Sequence, residues 1–391
     1  MNGPAIRRVL LDLVGTACVP DLARLSEADW AELSRLAAIH RLQPILHHRH
    51  GASPAIPAPI LADWQAAKRH AAMAALARQA DLRLVARCLE QAGFAPVALK
   101  GAWLAFHAYP APALRPMRDI DLLVEPAQVI DAFRHLLASG FVQAEDDALP
   151  LDTNLRIGKH MPQLTAPGGT LVELHHRLWE PHGQLDHASP DQDLPGLIAR
   201  ARIAADGLRY PKATDMLAHL VVHAVYSHRL DCGPLLLHDV AATIAAETPD
   251  WDRFWAAART QGWRDGARLV LELTGRHMAE TAIDFTADQG PPCPAELIEA
   301  APDLLLQDLG TRASARVAAA VIKRGRATLL ERARRQTDPL NPAETSRPVS
   351  EPGGWLGWAL SRGWRTAREL AQADTRRQSR QLAALSAWLD R

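Results

Sequence analysis

LKGAWLAFHAYPAPALRPMRDIDLLV, residues 99–124, decides how this chain is read. Its end, RDIDLLV, has the pattern of a buried strand. Successive side chains of a strand leave opposite faces, so Asp119 and Asp121 share one face while Ile120 and Leu122 share the other. Two carboxylates held that close repel each other, which is tolerable when they share a hard divalent cation. Mg²⁺ is usually bound by one or two carboxylates plus substrate phosphates. An Asp-x-Asp pair also occurs on exposed strand ends with no metal, so the surroundings have to decide. Upstream, Lys100-Gly101 follows a short apolar run and opens a helix, where backbone N–H groups can receive phosphate. Downstream, Glu173 in TLVELHH adds a third acid on a strand, with His175 on the same face by the two-residue period.

Working outward, APVAL (95–99) reads as a buried strand, 101–109 as a short helix and IDLLV (120–124) as the next strand. A helix over 126–139 begins at a proline and is closed by Gly140. HMPQLTAP and TLVELHHR are strand-like runs joined across Gly168-Gly169, a tight-turn dipeptide. A mixed sheet of four or five strands over 95–178 follows, forming an α/β core at 95–180. Residues 1–94 form an N-terminal helical segment. Ser26 caps a helix with Asp29 at the capping-box position, Pro44 ends or bends it, and a long Ala- and Leu-rich helix over 59–92 stops at Gly93. After a polar loop at 181–195 the pattern is helical over 213–229, 234–247, 251–261, 264–281, 294–307 and 312–336, giving a helical domain at 196–336. A breaker-rich linker at 337–354 precedes a last helix in 355–391 carrying Trp355, Trp358, Trp364 and Trp388. The fold class is α+β.

With 391 residues, two or three packed units are expected, and 48% hydrophobic with 23% charged residues excludes general disorder. Lys plus Arg and Asp plus Glu number 44 each, so no net field draws nucleic acid or an anionic membrane to the whole surface. Cys18, Cys88, Cys232 and Cys293 show no metal or disulfide spacing, and no signal-peptide pattern or run of about 18 apolar residues occurs. A cytoplasmic protein is expected, without nucleic-acid or membrane partners. The scattered tryptophans suit helix packing better than base stacking.

The elements from Leu99-Lys100-Gly101 through Tyr109, Arg115 and Asp119 to Val124, then Glu173-Leu174-His175, resemble the nucleotidyltransferase superfamily, specifically its bacterial uncharacterised nucleotidyltransferase family. The likeness continues through ATDMLAHLVVHAVYSHRL and LLLHDVAATI to DWDRFW, about residues 95–265. It implies a nucleotidyltransferase-fold core in which two Mg²⁺ ions grip a nucleoside triphosphate, ATP foremost, and support in-line displacement at the α-phosphorus. Carried onto this chain, Asp119, Asp121 and Glu173 bind metal, with Glu173 completing the site or acting as base. Lys100, Gly101, Arg115, Arg118 and His175 belong to the nucleotide side. Arg115 and Arg118 clamp the triphosphate or an acceptor anion, or else ion-pair the aspartates. The acceptor is a hydroxyl of a small molecule or peptide. Similar proteins occur beside peptide natural-product genes, including those of lasso peptides, which adds a modified peptide to the acceptor classes.

One departure stands out: the superfamily commonly has Gly-Ser at the phosphate turn, where this chain has Gly101-Ala102. That motivates a second reading, a nucleotide-sensing or protein-binding module of the same fold without turnover. A third is a His-Asp phosphohydrolase built from His219, His223, His238 and Asp239, against which apolar neighbours such as Leu220 and Leu236 suggest helix packing. Lys159 and His160 either reach phosphate or form a polar strand edge, and His223 and Asp239 are candidates for the substrate cleft.

Overall fold

The computed structural model describes residues 1–18, 20–143, 150–178, 193–324, 368–369 and 371–390. The helices are α1 (Gly3–Val14), α2 (Glu27–Ile39), α3 (Gln43–His50), α4 (Ala58–Gln91), α5 (Gly101–Trp103), α6 (Val129–Ala138), α7 (Leu151–Ile157) and α8 (Leu194–Arg200), followed by α9 (Ala213–Val222), α10 (Leu235–Ala246), α11 (Trp251–Thr260), α12 (Arg264–His277), α13 (Ala295–Glu299), α14 (Ala301–Leu305), α15 (Arg312–Arg324) and α16 (Ala373–Leu389). The strands are β1 (Val97–Ala98), β2 (Asp119–Leu123), β3 (Val142–Gln143), β4 (Leu164–Thr165), β5 (Leu171–His175), β6 (Arg202–Ile203) and β7 (Arg209–Tyr210). None of the described helices is long and apolar enough to cross a membrane.

The strands form one mixed sheet in the order β3-β4-β5-β2-β1-β7-β6. β2 lies inside it, antiparallel to β1 and parallel to β5. Its apolar face, Ile120 and Leu122, packs with Val172 and Leu174 of β5 under Leu82, Val85 and Leu89 of α4 and Val129, Phe133 and Leu136 of α6. That burial leaves the opposite face of β2 for Asp119 and Asp121. The sheet has seven strands where four or five are expected. The additional ones are two residues long, and β3 and β6 are largely exposed, so they carry no alternation to read. The β6–β7 hairpin comes from beyond residue 195 and docks β7 parallel to β1 at Val97↔Arg209.

The helical boundaries follow the capping chemistry. Ser26 and Asp29 form a reciprocal capping box on α2. Pro44 opens α3 instead of ending α2, because proline suits a first helical turn, where its missing N–H costs nothing. α4 ends before Gly93, whose φ of 86° closes the helix. The segment read as one helix over 213–229 is α9 followed by a π-helical turn, His223–Ser227, and the 294–307 pattern splits at Ala300 into α13 and α14, with Pro302 in the first turn of α14. Most of the 181–195 loop, residues 325–336, the 337–354 linker, Trp355, Trp358 and Trp364 lie outside the described residues. Both ends of the chain meet at Arg7: its Nη1 donates to Asp303 at 3.0 Å, its Nε to the Leu306 carbonyl at 3.1 Å, and the guanidinium pairs with Asp374 of α16.

The turn between β4 and β5 is held from α4. Asp81, 4% exposed, accepts hydrogen bonds from the Gly168 and Thr170 amides at 3.2 Å each. A Cβ on residue 168 would lie 2.4 Å from Asp81 Oδ1, and residue 169 has a φ of 88°, so each glycine of the dipeptide is required for its own reason. Asp81→Ala is expected to lower stability by about 2 kcal/mol, since it leaves two amides without their charged acceptor. Urea denaturation checks this, and Asp81→Asn should recover part of the loss.

Candidate functional site

Register places the acids. β2 and β5 run parallel with Asp121 opposite Glu173, Asp119 opposite Leu171 and Leu123 opposite His175. Asp121, 5% exposed, accepts from Lys100 Nζ at 2.9 Å and from His175 Nε2 at 2.8 Å, both on Oδ1. His175 Nε2 also lies 3.4 Å from Glu173 Oε2, and Gln163 Nε2 donates to Glu173 Oε1 at 3.2 Å. His160, bridged across the strands to His175, points its own Nε2 at Glu173 from 3.8 Å. One ligand atom each of Asp121, Glu173 and His175 falls within 4.8 Å of the others. Two carboxylates and an imidazole converging in this way suit a divalent cation. Asp119 stands one step along the same strand face, outside that trio.

Lys100 reaches Asp121 from an unusual backbone, φ 43° and ψ −116°, which costs a side-chain-bearing residue about 1–3 kcal/mol. Gly101 follows because a Cβ there would sit 2.9 Å from Met117 Cγ. The helix after the turn is one short turn, α5, continuing as a wider π-helical turn over Leu104–Ala108. Ala102 is 1% exposed and packs into the sheet core, so its side chain faces away from the acids.

Charge and burial separate the three carboxyl groups. Burial, reinforced by the charges of Asp121 and Glu173, pushes Asp119 up to about 6. Burial alone would raise Asp121 as well, but Lys100 and His175 override it and hold that carboxyl well below its ordinary value. Glu173 is drawn down to about 2, burial being outweighed by the hydrogen bond from His175 and the nearness of His160. Burial lowers His160 and, more strongly, His219 and His223.

These groups open onto a cleft of about 400 Å³ between the sheet and helices α9 and α10. Asp119, Asp121, Glu173, Lys100 and Gly101 line it, as do Lys159, His160, Arg115, Arg118, His223 and Asp239. His175 lies behind them, fully buried. Arg115 pairs with neither Asp119 nor Asp121. Its Nε donates to Asp239 Oδ1 at 2.6 Å, and the Tyr109 hydroxyl donates to the same oxygen at 2.7 Å, so Arg115 braces α10. Arg118 is exposed and forms no hydrogen bond or ion pair among the described residues. His219 and His223 stack with centroids 5.9 Å apart, but His238 Nε2 turns away to the Val14 carbonyl at 2.7 Å. The residues of a His-Asp centre are therefore not gathered, and Asp121, Glu173 and His175 are the ligand cluster found among the described residues.

Arg41, His228, Asp231 and Arg312 also line the cleft, although no sequence pattern singles them out. Buried Asp231 is met by His228 Nδ1 at 3.1 Å, three residues away, and by Arg316 at 2.6 Å, a contact across 85 positions that cannot be read locally.

The raised Asp119 fixes the sign of one pH effect. Its carboxyl prefers the neutral form in the folded chain, so its contribution falls as pH rises from about 4 through about 6. In metal-free buffer Asp119→Asn should therefore melt higher than wild type above pH 6, with the gap closing toward pH 4. A gap that does not change between pH 4 and 8 in thermal melts would remove the coupling.

No curated protein matches the chain. A family model described as uncharacterised nucleotidyltransferase matches residues 26–279, from the capped start of α2 past the end of α12, and so takes in every residue of the acid cluster and both walls of the cleft. The small mixed sheet within helices is an α+β nucleotidyltransferase fold, and the chain belongs to the uncharacterised nucleotidyltransferase family.

Proposed function

We propose that this protein transfers a nucleoside monophosphate group from a nucleoside triphosphate, ATP foremost, to a hydroxyl of a small molecule or peptide. The observation that carries the reading is the parallel register of β2 and β5. It sets Asp121 against Glu173, with Asp119 on the same wall, in the cleft that Lys100 and Gly101 enter from the neighbouring strand.

Asp119, Asp121 and Glu173 would hold Mg²⁺, two ions as in the superfamily, with His175 fixing Asp121 and Glu173 from behind. Bound there, the metal supplies charge neutralisation for the triphosphate and for the developing negative charge of the displacement. Lys100 can exchange its Asp121 oxygen for a phosphate oxygen, and the Lys100-Gly101 turn seats the triphosphate. The acceptor oxygen forms its bond to the α-phosphorus as the bond to pyrophosphate breaks, and the acceptor proton passes to a cleft carboxylate. Arg118 offers a fork for an anion, while Arg115 orients the wall through Asp239. Lys159, His160 and His223 line the rest of the cleft.

In this reading residues 95–180 form the catalytic core, completed by the hairpin at 202–210, and the helical domain at 196–336 supplies the far wall. Acidic and basic residues in equal number, 44 each, give no net field toward nucleic acid, which supports an acceptor among small molecules and peptides, modified peptides included. The four free cysteines suit a reducing cytoplasm. The position of Ala102 in the core weakens the motive for a module without turnover, since that side chain does not line the cleft.

Calorimetric titration of ATP, GTP, CTP and UTP in the presence of Mg²⁺ tests the reading. Wild type should bind at least one of them, and Asp119→Ala/Asp121→Ala, with folding verified by circular dichroism, should bind it at least tenfold more weakly. Binding by neither protein would sink the transferase. Binding without pyrophosphate release across a broad acceptor screen would favour the non-catalytic module.

A further inference from the structure

Beside the cleft a second groove, of about 510 Å³, runs along the middle of α4. Arg41, Arg115, Met117 and Arg118 border both spaces, so the groove opens directly into the site. One wall is apolar and small: Ala67, Ala71, Ala74 and Ala75 repeat at helical spacing along α4. The other is cationic, formed by Arg41, Arg78 and Arg118, and no Asp or Glu lines the groove.

Unlike most buried or half-buried arginines of this chain, half-buried Arg41 and Arg78, and exposed Arg118 beside them, pair with no carboxylate among the described residues. Arg7, Arg115, Arg200, Arg253, Arg264 and Arg268 each hold one. The guanidiniums of Arg41, Arg78 and Arg118 form no hydrogen bond or ion pair among the described residues, and Arg78 Nε is buried without a partner. Arg41 moreover occupies a left-handed backbone, φ 56°, at the exit of α2, where an L side chain costs about 1–2 kcal/mol. Burial, together with the charges of Arg118 and Arg78 and against the pull of Asp119, pushes the Arg41 guanidinium below its ordinary value, which places the cations close enough to repel. Half-buried cations gathered without an ion pair of their own favour a ligand that brings one. Guanidinium forks match carboxylate and phosphate oxygens in pairs.

The triphosphate is not that ligand on the present reading: Lys100, Gly101, Asp119 and Asp121 line the cleft and not the groove. We propose that the groove along α4 is the acceptor site and that the acceptor carries a phosphate or carboxylate seated between Arg41 and Arg78, its apolar part lying on the alanine wall. This assignment rests on the transferase reading, which places the nucleotide in the cleft.

The test uses the full-length protein with Mg²⁺ and the α,β-methylene analogue of ATP. Glycerol 3-phosphate, 3-hydroxybutyrate and glycerol are titrated separately by ligand-observed NMR. At least one anionic probe should bind wild type while glycerol does not, and whichever anion binds more tightly identifies the group. Arg41→Gln/Arg78→Gln should weaken that probe at least fivefold, Arg41→Lys/Arg78→Lys should recover part of the loss, and affinity for the ATP analogue should stay within twofold. If the double glutamine variant does not fold, Arg78→Gln alone is read by the same criteria. A tenfold loss of nucleotide affinity in the glutamine variant would overturn the proposal by assigning these arginines to the triphosphate. Equal probe binding by wild type and variant, or none by either, would overturn it as well. Anionic-probe binding by a protein that binds no nucleotide would support the anion groove and overturn the transferase reading instead.

Discussion

A buried carboxylate opposite another carboxylate on a parallel strand is the constraint around which this molecule is arranged. Asp121 and Glu173 face each other across β2 and β5, and neither can stay ionised in the sheet without nearby cations or donors. Lys100 and His175 share one oxygen of Asp121, while His175 and Gln163 reach Glu173. Each compensation places a demand on the backbone. Lys100 must hold a left-handed conformation at the end of β1, and Gly101 must yield space to Met117. His175 must come from two residues beyond Glu173 so that the strand period brings both to one face. A one-residue slip of β5 would send Glu173 into the core, and Asp81 opposes that slip by gripping both sides of the turn before the strand.

The helices turn this charged sheet face into a closed site. A sheet of short strands cannot wall off a cleft, so the second wall comes from α9 and α10, attached through Asp239 to Tyr109 and Arg115 in the connection before β2. The same brace explains why an arginine four residues ahead of the aspartates leaves them alone: its charge is already matched, 124 positions along the chain. The π-helical turn at His223 ends α9 at the cleft, and buried Asp231 ties the following segment to α15. α15 in turn packs on α16, which Arg7 anchors to the first helix. Residues far from the acids thus decide how the cleft wall stands.

Legibility in the sequence followed the range of each interaction. The pairing of Asp119 with Asp121 on one face, the Gly168-Gly169 turn, the capping box of α2 and the end of α4 are set within a few residues, and spacing reveals them. The family pattern carried Glu173 and His175 into the same site, and register brings both there. What spacing could not reveal is long-range. β3, β6 and β7 exist only through partners elsewhere, and the choice of Arg115 between Asp119 and Asp239 is a tertiary event. Arg41 and Arg78 sit in segments that read as ordinary solvated helix, and only the folded chain shows that their charges converge where no acid waits. His238 shows the reverse, since it neighbours Asp239 in sequence yet serves the Val14 carbonyl.

The cleft and the groove beside it consequently obey opposite electrostatic logic. At the sheet end Asp121 and Glu173 already have partners: Lys100 and His175 share one oxygen of Asp121, and Gln163 and His175 reach Glu173. On the proposed function, a cation that takes the place of Lys100 on Asp121 would free its ammonium for phosphate, and linkage would make that coupling mutual. Along α4 the guanidiniums of Arg41, Arg78 and Arg118 hold no carboxylate among the described residues, so an anion seated there would displace no ion pair of theirs. An exchange site answers to two ligands together, whereas an uncompensated site selects by charge alone.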